Sequence, residues 1–226
     1  MWRIIAVGLG ILVSVVGTKL AIDHWKKVRE TLGGKKIAVL GPRASGKTTL
    51  IKFLLKGELS EEYVATAKPE KFSGKKVVLQ DLNLTIEDTT DVPGDRQSHA
   101  DWERLYKEAD FVLYLTDAKM LHAGDQGYEN NVRDDMRHIG EWFDDRKDKP
   151  PRFFLIATHC DLIFEYDSLP DSRKTAFTDD FWKTPIMQQL ILLGKGIKNV
   201  KCVAGSLKGR DESERLVGSI LRQATA

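Results

Sequence analysis

Cysteine is scarce: Cys160 and Cys202 are the only two in 226 residues. That excludes a disulfide scaffold, and their spacing is not that of a metal site, so reduced thiols are expected. Charge of a single sign is lacking too. With 35 Lys and Arg against 33 Asp and Glu, the net charge of +2 removes the electrostatic footprint of a nucleic-acid binder. There is no internal repeat and no low-complexity tract. A hydrophobic fraction of 42% with 30% charged residues is the composition of a globular chain, not a disordered one. His122, His138 and His159 are scattered without ligand spacing, so no zinc site is expected.

What is present begins with Gly41 to Thr48, G-P-R-A-S-G-K-T, directly after the apolar run Ile37-Ala38-Val39-Leu40. This is a phosphate-binding loop between a strand and a helix. Gly41 and Gly46 permit the turns that let successive N–H groups converge on a phosphate. Pro42, Arg43, Ala44 and Ser45 complete the cradle. Lys47 can reach the terminal phosphates, and the Thr48 hydroxyl can ligate Mg²⁺. Thr48-Thr49-Leu50 through Leu55 reads as a helix whose positive end faces the same anion. Arg43 can add positive charge there or simply face solvent.

The N-terminus carries the one long apolar run. No charge occurs between Ile4 and Thr18, and the stretch from Trp2 to Ile22 has the length a bilayer core requires. Trp2 and Trp25 sit at its ends, where interfacial aromatics belong, and Lys26, Lys27, Arg29, Lys35 and Lys36 follow. A single transmembrane anchor over 1–25 and a basic juxtamembrane linker over 26–34 are expected, with the domain of 35–226 on the cytoplasmic side. The alternatives are a cleaved signal peptide, which lacks a clear small-residue cleavage site, and a buried core helix, which all-round hydrophobicity does not suit.

From Lys35 onward strands and helices alternate, so a mostly parallel sheet with helices on both faces is expected. The strands read as Ile37–Leu40, Lys76–Leu82, Leu84–Thr90, Phe111–Thr116, Arg152–Thr158 and Val200–Ala204, with the second and third joined tightly near Asn83. Val132, Met136, Ile139 and Phe143 mark the core face of one helix. Ile186, Leu190 and Leu193 mark another, and Leu216, Val217, Ile220 and Leu221 the last. Trp102 and Tyr106 fall on a helix of their own, with core packing expected for at least one. Glu141, Asp144, Asp145 and Asp148 read as a solvated helix end. The segments Glu58–Ser73 and Asp91–Ser98 lack a period and read as loops near the phosphates.

Those loops and later strand ends narrow the ligand. Asp91-Val92-Pro93-Gly94 has the form D-x-x-G, where the acid can hold the Mg²⁺ shell and the Gly94 N–H can sense a γ-phosphate. Thr66 can close over the metal. Thr158-His159-Cys160-Asp161 follows a buried strand, and a carboxylate there can accept two hydrogen bonds from the guanine edge. Gly205-Ser206-Leu207-Lys208 follows the last strand, where backbone N–H groups can meet the guanine carbonyl.

With these motifs the chain resembles the small GTPase superfamily over residues 35–226, and within it the Arf-type group. The membrane-anchored β subunit of the signal recognition particle receptor is the architectural parallel. The resemblance implies a Ras-like α/β P-loop fold of six strands and about five helices, Mg²⁺ and GTP/GDP as ligands, and the roles above for Lys47, Thr48, Thr66, Asp91, Gly94, Asp161 and Ser206. Two departures stand out. The family's N-K-x-D base motif has Thr158 for asparagine, whose loop-tethering hydrogen bonds it is expected to replace in part, and His159 for lysine, whose stem it can replace by stacking on the base. The usual glutamine after D-x-x-G is Asp95, leaving Asp95, Gln97 or His99 to orient water. Slow hydrolysis helped by a partner or by self-association follows. A nucleotide-dependent switch for a protein effector, acting alone or as a homodimer, and a constitutively nucleotide-bound scaffold subunit are the two readings. A phosphate-loop ATPase or kinase is a third, opposed by Asp161.

Overall fold

Four consecutive buried residues form β1 (Ile37–Leu40), the pattern of a strand covered on both faces. The computed structural model describes residues 35–56, 77–79, 82–84, 99–146 and 148–225. After β1 come α1 (Lys47–Lys56), β2 (Val77–Leu79), β3 (Leu82–Leu84), α2 (His99–Glu108), β4 (Phe111–Asp117), α3 (Ala118–His122) and α4 (Gln126–Asp145). Then follow β5 (Arg152–Thr158), a 3-10 turn (Cys160–Leu162), α5 (Phe164–Asp167), α6 (Asp171–Trp182), α7 (Pro185–Leu193), β6 (Val200–Ala204) and α8 (Gly209–Ala224).

The sheet runs β1-β4-β5-β6, every pair parallel, with Ile37 opposite Phe111, Phe111 opposite Arg152 and Phe153 opposite Val200. Alternate residues of these strands feed two cores, because successive side chains leave a strand on opposite faces. Ala38, Leu40, Val112, Tyr114, Phe153 and Leu155 join α2, α4 and α7 on one side. Ile37, Val39, Leu113, Leu115, Phe154 and Ile156 join α1 and α8 on the other. This is the expected α/β arrangement, a parallel sheet with helices on both faces. Each large apolar side chain so buried stabilises the domain by about 1.5–3 kcal/mol.

The six-stranded sheet needs correction. Among the described residues the parallel sheet has four strands, and β2 and β3 form a separate antiparallel pair. The expected turn at Asn83 is also displaced: Asn83 lies within β3, opposite Val78. The stretch V-V-L-Q-D-L-N-L has polar breaks at Gln80-Asp81 and at Asn83, and its pattern alone does not say where one strand ends and the next begins. Eight helices, not about five, occur among the described residues. The surplus includes the short α3 and α5 and the weakly amphipathic α6, whose sequence D-S-R-K-T-A-F-T-D-D-F-W has no clear apolar stripe.

The strong helix patterns hold. Val132, Met136 and Ile139 of α4 are buried, with Trp142 completing the stripe and Phe143 half-buried beside it. Asp125 caps this helix by accepting from the Tyr128 N–H at 2.8 Å, a cap worth about 1 kcal/mol. At its far end Arg146 donates to the carbonyls of Tyr106 and Ala109, tying α4 to the end of α2. Trp102 and Tyr106 are both core residues. The acidic helix end is partly engaged, Asp144 with Lys195 and Asp145 with Lys107. No helix among the described residues is long and apolar enough to cross a membrane. The expected anchor over 1–25 and linker over 26–34 lie outside them.

Candidate functional site

In an open parallel sheet, ligands bind outside the carboxyl ends of the strands. Every described segment singled out from the sequence leaves such an end: Gly41 after β1, Thr158 to Asp161 from β5, and Gly205 to Leu207 after β6.

The loop after β1 is fixed by close approach. Gly41 has φ 133°, and a Cβ placed there would lie 2.1 Å from the Leu115 carbonyl oxygen of β4. Ala44 (φ 62°) and Gly46 (φ 87°) are left-handed, and left-handed residues in such a turn shape backbone concavities that bind anions. Lys47, at the start of α1, is buried, and its Nζ donates to the carbonyls of Gly41 at 2.8 Å and Pro42 at 2.7 Å. Its charge is thus held over the loop. Thr48 and Thr49 are half-buried in the first turn of α1. Ser45 Oγ is buried with no hydrogen-bond partner within the described structure, an orphan that a phosphate oxygen would satisfy. Arg43 is exposed, the plain solvent-facing reading. This donor-rich cradle fits a magnesium-bound nucleotide phosphate, with Lys47 and Thr48 placed to hold phosphate and metal.

Thr158 does the tethering that its position demanded. Fully buried, its Oγ1 lies 2.9 Å from the Ser45 carbonyl and 3.0 Å from the Thr116 carbonyl, and can donate to either. One hydroxyl therefore joins the end of β5 to the phosphate loop and to β4. Removing it while keeping the shape, Thr158→Val, should lower stability by about 1–2 kcal/mol, because the buried carbonyl that the hydroxyl serves loses that donor. Urea unfolding checks this.

His159 is left-handed (φ 59°), and its Nδ1 lies 3.0 Å from Asp117 Oδ2. Burial pushes the Asp117 carboxyl up, but the His159 hydrogen bond and charge and the N–H groups of Met120 and Lys119 outweigh it and hold it below the usual range. Asp117 also caps α3 by accepting from Met120 N at 3.1 Å. The imidazole is thus anchored by a strand-end carboxylate on the site's edge. Asp117 was not singled out from the sequence; the signal was its position at the end of F-V-L-Y-L-T-D, the carboxyl end of a buried strand.

Asp161 and Ser206, 45 residues apart, meet. Ser206 Oγ donates to Asp161 Oδ1 at 2.5 Å and accepts from the Lys208 N–H at 2.8 Å. The two loops are also laced by Cys160 N to Gly205 O at 3.2 Å. Leu207 is buried and lies against the phosphate loop, with its Cδ1 3.0 Å from where a Gly46 Cβ would stand. Burial pushes the thiols of Cys160 and Cys202 up to about 12, so both are inert. The remaining expected site residues, Thr66, Asp91, Gly94, Asp95 and Gln97, lie outside the described residues. His99 opens α2 and its Nε2 sits 2.9 Å from Asp135 Oδ1.

Residues 23–124 match the model of the ADP-ribosylation factor family, which bears out the Arf-type resemblance read from the motifs. No curated protein matches the chain. Among solved structures, the chain is similar to an ADP-ribosylation factor-like GTP-binding protein, the small COPII coat GTPase SAR1 from Encephalitozoon cuniculi in complex with GDP. The identity is 17%, the match covers 94% of this chain and 89% of that one, and the TM-score is 0.49.

Proposed function

We propose that this chain is an Arf-like small GTPase that binds Mg²⁺-GTP and GDP, hydrolyses GTP slowly, and switches its affinity for a protein partner from an N-terminal membrane anchor. The observation that carries the reading is the meeting of Asp161 and Ser206 on the same sheet edge as the phosphate loop. A carboxylate held there by a hydroxyl can take the guanine N1 and N2 hydrogens.

Lys47 and the loop N–H groups hold the phosphates, and Thr158 fixes the loop to the base-binding strand end. Thr48, with Thr66 and Asp91, would hold Mg²⁺, which supplies charge neutralisation on the β- and γ-phosphates. His159, anchored by Asp117, presents a flat ring beside the base site in place of a lysine stem. Gly94 would read the γ-phosphate and pass that state to α2. Asp95 and Gln97 are the proposed water-orienting residues. A carboxylate at Asp95 adds negative charge where the transition state already gathers it, which is the reason for slow turnover. The apolar run before the basic segment 26–36 is the proposed span, placing the domain on the cytoplasmic face.

The same Asp95 favours a second reading, a receptor or scaffold subunit in which nucleotide is permanently bound and turnover is negligible. Ligand linkage tests the binding reading. In Mg²⁺, GDP at 100 times its Kd should stabilise the folded protein by about 2.7 kcal/mol, with ATP at the same concentration giving no shift in Tm. Equal shifts would remove the guanine assignment. Single-turnover hydrolysis then separates a slow switch from a static subunit.

A further inference from the structure

Two histidines 39 residues apart in sequence meet on the face where α2 packs against α4. The rings of His99 and His138 stand with centroids 4.5 Å apart. One donor atom each from His99, Asp134 and His138 lie within 4.8 Å of one another. Asp134 and His138 are four residues apart on α4, so they project from one face, one turn apart. His99 completes the group from the first residue of α2.

Each histidine is also held from behind. Asp135 Oδ1 lies 2.9 Å from His99 Nε2, and Tyr114 of β4 donates to Asp135 Oδ2 at 2.7 Å. Glu141 Oε2 lies 3.2 Å from His138 Nδ1. A carboxylate on one ring nitrogen fixes the tautomer and makes the other a better ligand, the arrangement behind histidines that bind metal. Arg137 donates to Asp134 Oδ1 at 2.7 Å, while Asp134 Oδ2 lies 3.9 Å from His138 Nε2. One carboxylate oxygen is therefore turned toward the histidines. Three carboxylates, one of them paired with Arg137, thus surround the two imidazoles and leave negative charge for a divalent cation to meet.

We propose that His99, Asp134 and His138 form a binding site for a zinc-type divalent transition-metal ion that clamps α2 to α4. Nitrogen and single-oxygen ligands suit zinc, and three protein ligands leave a fourth tetrahedral position for water. Zinc at about 2.0–2.1 Å from each ligand requires the donor atoms to approach by roughly 1 Å or more, a motion open to the half-exposed Asp134 and His138 side chains. The site is separate from the phosphate loop and does not rest on the nucleotide reading. The sequence spacing of the histidines gave no sign of it, since His99 comes from a different helix from the other two ligands.

The purified full chain, in excess Mg²⁺ so that oxygen-only sites are filled, is titrated with Zn²⁺ against a chromophoric chelator. One equivalent of Zn²⁺ should bind, and His138→Asn and Asp134→Asn should each weaken binding by at least about tenfold. His122→Asn serves as the histidine control and should bind as the parent does. Both test variants should unfold at the parent's urea midpoint in the presence of EDTA, since their side chains are partly exposed. Absence of stoichiometric binding, or parental affinity in either His138→Asn or Asp134→Asn, would overturn the site.

Discussion

Gly41→Ala should be the most damaging small substitution in the domain. The added methyl would stand 2.1 Å from the Leu115 carbonyl oxygen, a backbone atom of the central sheet that cannot rotate away. At φ 133° any L side chain is strained as well. Relief requires the loop to leave the sheet or β4 to shift from its pairing with β1 and β5. We expect a loss of about 4 kcal/mol or more, a large share of the roughly 5–15 kcal/mol that holds a domain of this kind together. Gly124→Ala is the control. Its φ is 68°, with nothing within 4 Å of an added Cβ, so only backbone strain of about 1–2 kcal/mol applies. Urea unfolding followed by tryptophan fluorescence compares them, and equal midpoints would mean that the approach of Gly41 to β4 is not structural.

Asp161→Asn should exchange one purine for another. The carboxylate offers two acceptors, which match the N1–H and N2–H₂ donors of guanine. An amide of the same shape offers one acceptor and one donor. Guanine then meets donor against donor, and its affinity should fall by about 10²-fold or more. Xanthine carries an oxygen where guanine has the amine, so it should bind the variant better than guanine does. Ser206 Oγ, 2.5 Å from Asp161 Oδ1, can donate to the asparagine carbonyl just as well, so the loop pairing survives the exchange. Competition between guanosine and xanthosine diphosphates reads the outcome. A variant that keeps its guanine preference would place the base elsewhere.

These two sites also show what a single sequence can disclose. The phosphate loop was legible because its chemistry is local: eight adjacent residues between a strand and a helix carry the whole pattern. Strands β1, β4 and β5 were legible because buried parallel strands are near-continuous apolar runs, and α4 and α8 because their stripes are long. The antiparallel pair was misplaced because β2 and β3 are three residues each, too short to carry a strand period of their own within the apolar-rich stretch they sit in. The weak stripe of α6 left that helix unseen.

Long-range pairings were legible only as roles. Thr158 was expected to tether the loop in place of asparagine, but its partners, the carbonyls of Ser45 and Thr116, are main-chain atoms that no motif names. The hold of Asp117 on His159 spans 42 residues, and the meeting of His99 with His138 depends on how two helices cross. Such contacts arise from packing and not from spacing. The Arf-family match ends at residue 124, before the ends of β5 and β6, so the proposed choice of guanine over adenine rests on the motifs and geometry there.

Guanine selectivity is therefore the claim to test first. Calorimetric titration of the chain in Mg²⁺ with GDP, a non-hydrolysable GTP analogue and ATP measures it directly. The account predicts one site that takes both guanine nucleotides, excludes ATP, and loses GDP in Asp161→Ala. Tighter binding of ATP than of GDP, or GDP binding indifferent to Asp161→Ala, would contradict it.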